Sequence, residues 1–178
     1  MTPEIDIAIP CSGWNTALKD AATLCRRAVS AAIDAAHETL PDPYGRVVEV
    51  SIVLADDAEI AGLNQQFRDR DGATNVLSFP ALSDEEQLGS LLGVDGPPVL
   101  LGDVVLAFET ISTEAADQDK IFGEHVTHLL IHGILHLLGY DHLDDAEAQV
   151  MEQLEIRALA ALGVADPYAD AEDAPIVA

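Results

Sequence analysis

Between Ile131 and Leu143 the chain reads IHGILHLLGYDHL, and few folds can accommodate that stretch. His132 and His136 stand four residues apart among aliphatic side chains. On a helix that spacing stacks both rings on one face, about 5.4 Å apart along the axis. Two ring nitrogens can then converge on one metal ion. Gly139 follows Leu137 and Leu138 as a helix stop, because glycine enters the left-handed region at little steric cost. The chain can turn there and return His142 toward the other two histidines. Three imidazoles leave a fourth coordination position open, which suits a catalytic rather than a structural zinc site. Glu124 to Leu138 is apolar nearly all round, so this helix is expected to be buried at the centre of the fold.

The pattern H-x-x-x-H-x-x-G-x-x-H has the ligand spacing of the metzincin zinc peptidases. Those enzymes place a glutamate directly after the first histidine as general base, where this chain has Gly133. The metal cradle is kept and the peptidase base is not. His125 and His128 lie upstream on the same helix. His128 is a candidate second-shell group, and His125 reads as a surface histidine.

The remaining chain bounds what surrounds this helix. At 178 residues it fits one domain, expected over residues 1–168 with an acidic tail at 169–178. No stretch has the length and apolarity of a membrane span. The start, MTPEIDIAIP, lacks the basic and apolar regions of a secretory signal. Cys11 and Cys25 form no C-x-x-C pair and fit free thiols in a reducing cytoplasm. Thirty-two acids against eight Lys and Arg give a net charge of −24, which excludes a general nucleic-acid-coating protein. An enzyme that concentrates its few cations at one site is not excluded.

Periodicity supplies the other elements. A half-buried strand is expected at Glu4–Ile9, and a helix capped at Asn15 or Thr16 running to about Glu38. A strand follows at Val47–Leu54, then a short helix capped at Asp56 or Asp57, a polar turn from Arg68, and a strand at Asn75–Phe79. Leu82–Pro98 reads as a mobile acidic loop. Beyond it lie a strand at Val99–Leu106, a polar helix at Glu109–Asp119, the histidine helix, and an acidic amphipathic helix at Leu143–Leu162 stopped by Gly163. This order predicts an α/β fold of the α+β type, a mixed four-stranded sheet packed with about five helices.

Arg68 sits in LNQQFRDRDGATNVLSFP. Its planar fork suits a phosphate, and a surface ion pair with Asp69 or Asp71 is the alternative. That stretch, with LLGDVVLA and HLLIHGILHLLGYDH in the same order, resembles the YbeY family of metal-dependent endoribonucleases that mature bacterial ribosomal RNA. The similarity runs from about Val47 to Tyr168, and Gly133 agrees with it. It implies Zn2+ on His132, His136 and His142, with Arg68 binding substrate and Arg68, His132 and His136 as the catalytic set. Asp141, inside the signature, becomes a second-shell candidate beside His128. The resemblance also implies single-stranded RNA as substrate, processing of the small-subunit ribosomal RNA 3′ end, association with the small ribosomal subunit or ribosome, and ribosome quality control. The alternatives are a zinc peptidase or amidohydrolase using an acid from elsewhere, and a non-catalytic, metal-stabilised ribosome-binding protein.

Overall fold

The computed structural model describes residues 3–37, 47–81, 97–142 and 144–169. Four strands form one mixed sheet: β1 (Glu4–Ala8), β2 (Val48–Ala55), β3 (Val76–Pro80) and β4 (Val99–Ala107), in the order β1-β2-β4-β3. β1 and β4 both run parallel to β2, and β3 is antiparallel to β4. Six helices stand among the described residues: α1 (Gly13–Ala17), α2 (Ala21–His37), α3 (Asp57–Arg68), α4 (Phe108–Asp117), α5 (Phe122–Leu137) and α6 (Asp145–Ala161). The expected α/β fold with a mixed four-stranded sheet is present, with one helix more than expected.

The extra helix comes from a break in the first expected helix. Leu18 takes an extended conformation and ends α1. Asp20 then accepts from the Thr23 backbone N–H (2.9 Å) and the Thr23 hydroxyl (2.7 Å), which opens α2. Trp14 holds α1 in place: it is fully buried, and its Nε1–H donates to the Ala55 carbonyl at 2.9 Å.

Period-two alternation sorts the sheet's side chains onto two faces. Ile52, Leu54, Val104 and Leu106 face the main core with α2, α5 and α6. Ala55, Val105 and Ala107 face the other way, against Ile60 of α3. The boundaries otherwise follow the periodicity to within a few residues. Asp56 caps α3, accepting from Glu59 N–H at 2.9 Å, and Asp144 caps α6, accepting from Ala146 and Glu147. The expected acidic loop falls outside the described residues over 82–96, as does the tail over 170–178.

α5 is the central element, as its apolar sequence requires. It packs on α2, α4, α6, β3 and β4. It lies close against the sheet at Gly133, where an added Cβ would be 2.8 Å from Val104 Cγ1 and 3.1 Å from Ser78 Oγ. A glutamate at this position would meet the sheet, so the residue that departs from the peptidase pattern sets the helix-to-sheet spacing.

Candidate metal centre

α5 delivers His132 and His136 side by side, with ring centroids 4.6 Å apart. The helix ends where the sequence placed its stop. Gly139 has φ +88°, Gly139 N–H donates to the His136 carbonyl at 3.0 Å, and Tyr140 N–H donates to the Leu135 carbonyl at 3.0 Å. These two bonds make a Schellman termination. The turn does a second job, because the Tyr140 carbonyl accepts from His136 Nδ1 at 3.0 Å. It also returns His142, whose ring lies 5.1 Å from that of His136 and 5.6 Å from that of His132. One ligand atom from each of the three histidines lies within 4.8 Å of the others.

The hydrogen bonds decide which nitrogens are bare. A carbonyl only accepts, so His136 carries its proton on Nδ1 and presents a lone pair at Nε2. His132 Nδ1 lies 2.7 Å from Glu155 Oε1, and a carboxylate likewise only accepts. His132 therefore also presents a bare Nε2. These two Nε2 atoms stand 3.1 Å apart. Two lone pairs facing each other at that distance repel unless a proton or a metal ion lies between them. Two nitrogens bound to one tetrahedral zinc at about 2.0–2.1 Å would stand about 3.3 Å apart, so the donor set fits such an ion. Burial, then repulsion from His132 and His142, holds the His136 pKa below its ordinary value, which favours the neutral, ligating form.

Glu155 is the site residue that the sequence reading missed. It projects from α6 and is 1% exposed. Burial alone would raise its pKa, but hydrogen bonds from His128, His132 and Tyr168 outweigh that and hold it at about 2. A signal was present. Met151, Leu154, Glu155, Ala158 and Leu159 form one buried helical stripe, and an acid on such a stripe needs a buried partner.

The other candidates fall as follows. His128 Nε2 meets Glu155 Oε2 at 2.9 Å, so His128 reaches His132 through that carboxylate rather than directly. Asp141 Oδ1 accepts from the His142 backbone N–H at 2.8 Å and stands 3.9 Å from His136 Nδ1, whose close partner is the Tyr140 carbonyl. His125 is not a surface histidine. It is 6% exposed, with Nε2 2.9 Å from Glu114 Oε2, because α4 covers that face of α5. Asn75 Nδ2 in turn donates to both Glu114 oxygens at 3.1 Å.

Arg68 ends α3 and reaches toward β3, where its Nη2 approaches the Ser78 carbonyl at 3.4 Å. Arg68, Arg70 and Ser78 line a cleft of about 580 Å³ together with His132, His136 and His142. The Ser78 hydroxyl donates to the Gly133 carbonyl at 3.1 Å and so links β3 to the histidine helix. The cleft thus brings cationic side chains together with histidines that could hold a metal, a combination suited to a phosphodiester.

Known proteins share this arrangement of sequence. The family model described as Endoribonuclease YbeY matches residues 14–163. A protein of that name from Paramagnetospirillum magneticum is 52% identical over 96% of this chain and 98% of its own length. Another from Agrobacterium fabrum is 45% identical over 95% of this chain and 96% of its own length. A Thermotoga maritima protein of known solution structure superposes with a TM-score of 0.55 at 21% identity, covering 98% of this chain and 99% of that one, which is a likeness of fold.

Proposed function

Because this chain belongs to the YbeY endoribonuclease family, we propose that it is a metal-dependent endoribonuclease that cleaves single-stranded RNA and acts in ribosomal RNA maturation on the small ribosomal subunit. The observation that carries this reading is the cleft that Arg68 shares with His132, His136 and His142. His132, His136 and His142 would hold the ion, with zinc the best match to an all-imidazole set. When bound, such an ion supplies Lewis-acid polarisation of a phosphoryl oxygen.

The chain's own residues do the rest. Arg68 neutralises the phosphate as negative charge builds on it, and its fork orients two phosphate oxygens at once. Glu155 and the Tyr140 carbonyl hold the His132 and His136 rings in the ligating tautomer. The reading puts this work in the cytoplasm, on ribosomes; among the described residues no helix is long and apolar enough to cross a membrane. Gly133 weighs against the peptidase alternative, because the helix-to-sheet contact leaves no room there for a glutamate base.

Substitution of Arg68 tests the reading. Arg68→Lys keeps the charge but loses the fork, so it should retain part of the cleavage of single-stranded RNA. Arg68→Glu should abolish cleavage. Both should keep wild-type metal content by elemental analysis, whereas His136→Ala should lose it. Wild-type cleavage by metal-loaded Arg68→Glu would remove Arg68 from the mechanism.

A further inference from the structure

Resting on the reading of His132, His136 and His142 as metal ligands, we propose that Glu155 and Tyr168 are positioning residues that tie the segment after α6 to the metal centre. Glu155 fixes the His132 ring, while His128 and Tyr168 fix Glu155.

The geometry is closed at every link. Glu155 is 1% exposed and lies 23 residues beyond His132 in the chain, on a different helix. A buried carboxylate is tolerated only when its oxygens are occupied. Oε1 takes His132 Nδ1 at 2.7 Å. Oε2 takes His128 Nε2 at 2.9 Å and the Tyr168 hydroxyl. His128 and His132 are one turn apart on α5, so the carboxylate is gripped by two rings of the same helix face. Tyr168 closes the assembly from the far side. Its hydroxyl lies 3.3 Å from His128 Nε2, and its ring meets His128 edge-on at 5.7 Å.

The division of labour between the oxygens separates positioning from mere charge burial. Oε1 meets His132 Nδ1, and its demand for a donor keeps the proton on Nδ1 and the lone pair on Nε2. Without it the ring is free to move its proton to Nε2, the atom that must be bare to bind an ion. Tyr168 stands past the end of α6, and among the described residues its hydroxyl meets Glu155 and His128 rather than a ligand histidine, so any effect it has on metal binding must pass through those two.

The test uses full-length protein, stripped of metal and titrated with Zn2+ against a chromophoric chelator. Glu155→Gln keeps the shape and loses the charge, and should weaken zinc binding by about 10-fold; Glu155→Ala should weaken it by up to about 100-fold. Tyr168→Phe keeps the ring contact and should weaken binding by a smaller, measurable factor. In a His132→Ala background Glu155→Gln should have no further effect. Long-range proton–nitrogen spectra of the metal-free protein should show His132 protonated at Nδ1 in the wild type and redistributed toward Nε2 in Glu155→Ala. Wild-type zinc affinity in folded Glu155→Gln, or in Tyr168→Phe should the Glu155 variants not fold, overturns the proposal alone. Failure of the wild type to bind zinc overturns the metal reading and this proposal with it.

Discussion

Protonating His125 would put a second ring proton on Nδ1, a buried atom with no hydrogen-bond partner among the described residues. Burial therefore holds its pKa below the ordinary 6.5, against the hydrogen bond to Glu114, which pulls upward. The sign follows from linkage. As pH falls the unfolded chain takes up this proton first, so the stability His125 contributes is full above 6.5 and is lost as pH drops from there through the folded value. His125→Gln can still donate to Glu114 but does not titrate. Between about pH 7 and about pH 5.5 the urea midpoint of the wild type should fall further than that of His125→Gln. Equal falls would show that His125 carries none of the acid lability. His125 was misread from the chain because its own helix gives no clue to what covers it. Arg68 was read from family resemblance rather than from local chemistry, since an arginine near a polar turn looks the same whether it faces solvent or a cleft.

At the scale of elements, the end of α5 positions the site. Among the described residues nothing lies within 4 Å of a Cβ placed on Gly139, so a side chain there meets none of them. The cost comes from the backbone at φ +88°, roughly 1–2 kcal/mol for an L-residue. Relaxing that strain would move the Tyr140 carbonyl off His136 and carry His142 away. Gly139→Val should therefore lower zinc affinity while the far-ultraviolet circular dichroism signal stays close to wild type. Unchanged zinc affinity would show that another contact places His142. This turn, the cap at Asp56 and the apolar run of α5 were legible because each depends on residues within a few positions of one another. The break between α1 and α2 was not, because the burial of Trp14 against Ala55, 41 residues away, holds α1 apart from α2.

Over the whole molecule, a net charge of −24 repels RNA, so a local clamp must do most of the holding. Two of the chain's eight basic side chains, Arg68 and Arg70, line the cleft. Salt screens the general repulsion beyond about 8–10 Å while it weakens the clamp's own phosphate contacts. If both arginines meet phosphates, the logarithm of RNA affinity should fall against that of salt with a slope no steeper than about −1.4. A steeper slope in a binding titration would reveal phosphate contacts outside the cleft. The histidine spacing, the glycine turn, the alternating strands and the sheet-with-helices architecture can all be read along the chain. Those features arise from periodicity and backbone conformation, which neighbouring residues encode directly. Packing alone set Glu155 of α6 against His132, buried His125 under α4, and put Arg68 in the cleft that the histidines line. Each of these depends on how separate elements pack, and a side chain's partner across such an interface leaves no mark on the residues beside it in the chain.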